Sequence, residues 1–390
     1  MTMLPDANLA QLTQSNSVRF AIIANQAFSV LNFRGPMIKA LVKKGVVVYA
    51  FASDYDDGTR AAVQKIGAIP VDYSLSRTGM NPLRDVSDLI KLAIRLRRLK
   101  IDISFAYFIK PVIYGTLAAF VARVQKRYVM IEGAGYAFTE NGSTGSLKRQ
   151  LLRMTAKNLY RIALSKAQSI FLLNPDDLKM FVDEQMAPAH KIHLLNGIGL
   201  DLDHFQIVAP VTQRPCFILV ARLLREKGIF DFVAAARIVK RAHPSVRFLL
   251  LGDVDQNPGS ISESQASAWV EEGLLEWPGH VSDVRPWIAQ ASVFVLPSYR
   301  EGLPRSTQEA MALGRPVITT NAPGCRETVR HGDNGFLVPL RDPTALAEAM
   351  LKFIDSPALI EKMGAKSRQI AEEKYNVHQI NSVILSAMEL

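Results

Sequence analysis

Short apolar runs alternate with amphipathic stretches along most of the chain. VRFAIIAN (18–25), GVVVYAFAS (45–53), RYVMIEG (127–133), SIFLLN (169–174), CFILVAR (216–222), RFLLLGD (247–253), VFVLPS (293–298) and RPVITTN (315–321) predict buried strands. Between them, MIKALVKKG, DFVAAARIVKRA and TQEAMALG carry the helical period. This alternation predicts an α/β fold, with parallel sheets covered by helices on both faces. The pattern lapses at 196–215, NGIGLDLDHFQIVAPVTQRP, which is rich in turn formers, and restarts with a strand. Two doubly wound, Rossmann-like domains facing across a cleft are therefore expected, over 1–195 and 216–360, joined by a 196–215 linker. From about Pro357 the chain reads as helix, and 361–390 is set apart as a C-terminal helical segment that is expected to return to the N-terminal domain. No repeat of solenoid length and no low-complexity tract interrupts this order.

Composition narrows the class. With 390 residues, 48% apolar and 21% charged, the chain is globular and long for one core. Cys216 and Cys325 are its two cysteines, which points to a reducing compartment without a disulfide framework. Residues 1–17 hold no basic segment followed by an apolar core, and no apolar run reaches the ~18 residues of a membrane span. A cytoplasmic protein is expected, either free or peripheral on the inner face of the membrane.

The net charge of +10 is one-sided. Residues 1–205 carry 26 Lys+Arg against 16 Asp+Glu, whereas residues 206–390 carry 20 of each. The excess marks a surface for an anionic partner. It concentrates in LIKLAIRLRRLK (89–100), with five basic residues and no acid, and in 145–167, with six and no acid. A basic amphipathic helix suits an anionic membrane surface, although a solvated helix over a Rossmann core has the same composition. Nucleic acid is disfavoured, because no recognisable module is present and aromatics do not interleave with the basic runs.

The chemistry concentrates in REGLPRSTQEAMALGRP (300–316). Glu301 falls in a strand-to-helix loop at the carboxyl end of a parallel strand, the edge where open α/β sheets bind ligands. A helix is predicted to start near Pro304–Ser306 and to stop at Gly314. The N–H groups of Gly302, Leu303, Pro304's successor Arg305, Ser306 and Thr307 then form an anion site. Glu301 stands beside it, and Glu309, more than a turn later, can take a diol with its two oxygens. In ARLLREKG, Arg222 and Lys227 follow another strand and can clamp a diphosphate. Taken singly, a capping glutamate or an ordinary loop cation explains each of these residues; their combination does not reduce to that.

The E-x7-E of EGLPRSTQEAMALGRPVI, the R-x4-K-G of ARLLREKG, NGIGLDLDHF and GFLVP (335–339) together resemble retaining glycosyltransferases of family 4, which have the GT-B fold. The resemblance runs from about Val18 to about Tyr375. SLSRTGMNPLRD, IKPVIYGTLAA, IEGAGYAFTENG and GDVDQNPGSIS are similar to bacterial enzymes that extend undecaprenyl-diphosphate-linked sugars, the α-1,3-N-acetylgalactosaminyltransferases among them. The resemblance implies that Arg222 and Lys227 hold the donor diphosphate and that Glu301 contacts the donor sugar. It also implies that Gly302, Leu303, Pro304, Arg305, Ser306 and Thr307 cap the phosphates and that Glu309 binds the ribose. On the acceptor side it points to Gly35, Lys110, Glu132 and Gly133, although the family's Gly-Gly loop and histidine are not matched there.

A nucleotide-sugar donor, UDP-linked by preference, a polyprenyl-diphosphate-linked acceptor and metal-free transfer are the expectations that follow. Asp201–Asp203 spells D-x-D but reads as a turn in the linker. GDP-mannose is the rival donor for an exopolysaccharide or O-antigen enzyme. A silent membrane-surface scaffold, a GT-B-like isomerase and a pyridoxal-phosphate-dependent phosphorylase are the alternatives of other classes.

Overall fold

The structure is a computed structural model that describes residues 17–75, 82–135, 138, 147–255, 257 and 259–390. Parts of SLSRTGMNPLRD, IEGAGYAFTENG and GDVDQNPGSIS, and the start of the 145–167 segment, lie outside the described residues.

Seven parallel strands form the first sheet: β1 (Arg19–Ile23), β2 (Val47–Ala52), β3 (Ile69–Asp72), β4 (Ile103–Tyr107), β5 (Lys126–Ile131), β6 (Ser169–Leu172) and β7 (Ile192–Leu194), in the order β3-β2-β1-β4-β5-β6-β7. Five form the second: β8 (Cys216–Val220), β9 (Arg247–Leu251), β10 (Val293–Leu296), β11 (Val317–Thr320) and β12 (Gly335–Val338), in the order β12-β11-β10-β8-β9. The central strands are mostly apolar and buried, as a parallel sheet covered on both faces requires. Three strands escape the reading of apolar runs. β3 (IPVD) and β7 (IHL) are short edge strands with half-exposed residues, and β4 (ISFAY) is preceded by a polar residue and interrupted by Ser104.

The strand order reverses between β1 and β4 and again between β8 and β10. Both reversals are topological switch points, where an open α/β sheet presents a crevice. The 196–215 stretch is fastened rather than loose. Leu200 donates to Tyr375 O at 2.7 Å and accepts from Val377 N at 2.9 Å, so the two chain crossings between the domains pair with each other. The fully buried Arg315 donates to the carbonyls of Val208 and Ala209 as well as to those of Ile288, Ala289 and Leu313.

A division at residue 360 falls inside the helix Ala358–Lys374, which packs on the second domain against the helix Arg305–Ala312. Only the last helix, Val377–Ala387, crosses back. It packs on the helix Ala27–Lys43, Tyr128 OH donates to Met388 O at 3.2 Å, and Lys126 pairs with Glu389 at 2.6 Å.

Candidate active site

β8 and β10 are parallel neighbours, so the loops leaving their carboxyl ends meet on one edge of the second sheet. Gly228 lets them close. Its φ is +70°, and a Cβ there would stand 2.0 Å from Pro297 O, so only glycine fits. Tyr299 N donates to Glu226 O at 2.9 Å and locks the second loop onto the first, with Ser298 Oγ 3.0 Å from the same carbonyl. Lys227 Nζ then lies 2.6 Å from Glu301 Oε1, and Ser298 Oγ donates to the same oxygen at 2.7 Å. Both hydrogen bonds take Oε1, which orients the carboxylate and directs Oε2 to other work.

Two helix N-termini bracket this pair. The helix Arg305–Ala312 follows Pro304, whose side chain offers no cap, and its first turn closes with Gln308 N donating to Pro304 O at 3.3 Å. Helix geometry leaves the N–H groups of Arg305, Ser306 and Thr307 without intrahelical partners. The helix Ile229–Ala242 starts in the same way from Gly228, with Phe232 N on Gly228 O at 3.0 Å. Partial positive charge from both helices and the Lys227 ammonium therefore converge beside Glu301, an arrangement that can receive an anion.

Glu309 lies one turn inside the Arg305–Ala312 helix. Its Oε1 accepts from Arg305 Nε at 2.9 Å, and both side chains are mostly buried. Burial pushes the Glu309 carboxyl up, Arg305 pulls it back, and Asp283 adds a smaller push upward. Arg222 is engaged elsewhere: its Nη1 is 2.7 Å from the buried Asp255 Oδ2 on the loop after β9. The R-x4-K pair is thus not a symmetric clamp, because one cation addresses Glu301 and the other is tethered at the rim.

The first domain meets this loop directly. A Cβ on Gly302 would stand 1.8 Å from Glu132 O, so the glycine backbone lies flat against Glu132 and Gly133 at the end of β5. Asn174, which caps the helix Pro175–Asp183, also donates to Gly302 O at 2.6 Å. Arg300 pairs with the fully buried Asp177 of that helix. Arg34 is 2% exposed, stacks over Tyr107 at 4.3 Å and forms an ion pair with Glu132. Burial pushes the Glu132 carboxyl up, while Arg34 and then Arg305 pull it back.

Lys227, Glu301, the 302–307 backbone, Glu309, Glu132 and Gly133 therefore come together. Gly35 does not belong with them. The loop after β1 is short, the helix begins at Ala27, and Gly35 is two turns inside it, with nothing within 4 Å of a Cβ built there. Lys110 stands at the end of β4, where its Nζ pairs with the buried Asp85 at 2.9 Å. Asp201 Oδ1 accepts from Asp203 N at 3.1 Å, which is the geometry of a turn. Both thiols are buried, and burial pushes each up to about 12.

Arg34, Asn174, Asp177, Ser298 and Arg300 are the site residues that sequence reasoning passed over. Asn174 carried a signal, because Asn-Pro-Asp-Asp is a helix start, but its bond to Gly302 spans 128 positions. Arg34 stands next to the glycine that drew attention.

Residues 214–356 match the family model for Glycosyl transferases group 1. Along 367 residues the chain is 24% identical to the N,N'-diacetylbacillosaminyl-diphospho-undecaprenol alpha-1,3-N-acetylgalactosaminyltransferase of Campylobacter jejuni, covering 91% of this chain and 94% of that protein. The chain is a glycosyltransferase with the GT-B fold. This transferase is also 27% identical, over 71% of its length and 72% of the relative's, to the Escherichia coli UDP-Gal:alpha-D-GlcNAc-diphosphoundecaprenol alpha-1,3-galactosyltransferase. HepE of Anabaena, solved in complex with UDP and glucose, superposes with a TM-score of 0.72 at 17% identity, over 95% of this chain and 99% of that one.

Proposed function

We propose that the transferase moves a sugar from a UDP-linked donor to an undecaprenyl-diphosphate-linked saccharide in bacterial glycan assembly, with retention at the anomeric carbon. The observation that carries this reading is the Lys227–Glu301 pair at the β8/β10 switch point, between two helix N-termini and one turn from Glu309. The names of the Campylobacter and Escherichia coli relatives support the acceptor class and, for the latter, the UDP-linked donor.

Lys227 and the amides after Gly302 hold the donor diphosphate, Glu301 Oε2 accepts from a donor-sugar hydroxyl, and Glu309 takes the ribose. Arg222 closes over the diphosphate from the rim. In the transfer step the bond between C1 and the β-phosphate oxygen breaks. The acceptor oxygen bonds to C1 on the same face, and its proton passes to that phosphate oxygen. The protein contributes position and a fixed positive field at the departing diphosphate. Glu132 and Gly133 border the acceptor path, and Lys110 lies on the same sheet edge.

The acceptor side also carries the membrane contact in this proposal. The helix Pro82–Arg98 exposes Leu83, Val86, Ile90 and Ile94 along one stripe, with Leu83 86% exposed, beside Lys91, Arg95 and Arg98. The helix Leu147–Ser165 exposes Leu151, Met154 and Ile162 among its basic residues. Helix Thr116–Val121 lies between them and exposes Phe120 and Val121. Apolar stripes flanked by cations suit the headgroup region of an anionic bilayer. Among the described residues no helix is long and apolar enough to cross a membrane.

Calorimetric titration of UDP and GDP, with chelator present, tests the donor reading beside Glu309→Ala. UDP should bind in preference to GDP, and the substitution should weaken it at least about tenfold, the loss of a hydrogen-bonded charged partner. Binding of neither nucleotide would refute it.

A further inference from the structure

We infer that the Arg305 side chain is a positioning residue that aims Glu309 at the donor ribose and joins that glutamate to the acceptor-side domain. The inference rests on the donor reading of Glu309. Its observation is that one guanidinium faces three elements. On its own helix it pairs with Glu309 Oε1 at 2.9 Å. It lies over the ring of Phe33, from the helix after β1, at 4.8 Å. Its charge also reaches Glu132 at the end of β5.

An exposed i,i+4 pair would contribute little. This one is different, since its side chains are 21% and 13% exposed. Fixing Oε1 leaves Glu309 Oε2 as the oxygen that can meet a ribose hydroxyl. The guanidinium also opposes the upward push that burial gives the carboxyl. The charged groups facing Glu309 are Arg305 and, more weakly, Asp283, while those facing Glu132 are Arg34 and Arg305. A cation paired with a carboxylate of the second domain and packed over a ring of the first makes ribose binding sensitive to the seam at Phe33. The backbone amide of Arg305 serves the phosphates independently of this.

The test is UDP calorimetry across a pH series with the wild type, Arg305→Gln, Arg305→Lys, Phe33→Leu and Glu309→Ala. In Arg305→Gln the acid limb of binding should move up by about one pH unit, because an opposite charge has been withdrawn from a buried carboxylate. Affinity is then lost at a higher pH than in the wild type and recovered as pH rises. UDP's own phosphate titrates identically in every variant, so the difference between curves isolates the carboxylate. Arg305→Lys should keep the limb in its wild-type place, and Phe33→Leu should keep the limb but weaken UDP binding. Glu309→Ala should bind weakly at every pH without recovery. A loss in Arg305→Gln that is equal at all pH values, or no loss, overturns the positioning role, and so does unchanged UDP affinity in Phe33→Leu. Wild-type binding by Glu309→Ala instead overturns the ribose reading itself.

Discussion

At the residue scale the account turns on Lys227. Its ammonium is the cation closest to Glu301, at 2.6 Å, and that pair is mostly shielded from water. A charge that stabilises a departing diphosphate in such a place acts on the transition state more than on the bound ground state. Lys227→Met should therefore lower kcat by about 10²–10³, the range for losing one preorganised electrostatic contact. The fold should survive, because Ser298 still donates to Glu301. Steady-state kinetics with a melting curve checks both. A loss under about tenfold would move Lys227 away from the reaction centre. Sequence reasoning reached Lys227 and Glu301 because strand ends and helix starts are local signals. Arg34 and Asp177 were not reachable in that way, since burial of a charge against a partner 98 or 123 positions away leaves no periodic trace.

At the scale of elements, the two loops and the helices behind them are set by close backbone contacts. Gly302 is pressed onto Glu132 O, and no side chain can occupy that gap without parting the domains. Gly302→Ala should cut kcat/KM by about 10²-fold, the cost of an ~1 Å misplacement at a reacting centre. Gly35 provides the contrast. The resemblance points to a loop glycine there, yet Gly35 lies in a helix interior with nothing within 4 Å of a Cβ built on it. Gly35→Ala should leave activity intact, read as unchanged kcat/KM. The sequence showed where most strands lie because buried parallel strands are continuous apolar runs. The helix Ala27–Lys43 begins within NQAFSVLNFRGP, a stretch that reads as the loop after the first strand because Asn, Ser and Asn interrupt its apolar residues. Sequence reasoning also missed the edge strands β3 and β7, which are too short and too exposed to stand out.

Across the whole molecule, the first domain carries both the seam with the 300–307 loop and an apolar face flanked by basic side chains. The buried Arg300–Asp177 pair, Asn174 on Gly302, and Gly302 against Glu132 seal the donor loop to that domain. Removing one partner of a buried ion pair costs about 3–5 kcal/mol, so this seam is a strong clasp. The charge asymmetry seen along the chain becomes a face: the helices Pro82–Arg98, Thr116–Val121 and Leu147–Ser165 lie side by side with apolar side chains exposed. Flotation with vesicles should show binding that needs anionic lipid and weakens with salt, at about 1 kcal/mol per basic side chain engaged. The pair Ile90→Glu, Ile94→Glu should abolish it while turnover on a soluble acceptor analogue continues. Binding that ignores lipid charge would remove the membrane from the account.

The most direct test of the central claim is transfer itself. The purified enzyme, with chelator present, is offered a panel of UDP- and GDP-sugars and an undecaprenyl-diphosphate-linked saccharide, and the anomeric configuration of the product is read by NMR. The account predicts an α-linked product from an α-configured UDP-sugar, formed without added metal and lost in Lys227→Met. A β-linked product, strict dependence on manganese, or turnover with GDP-mannose alone would contradict it.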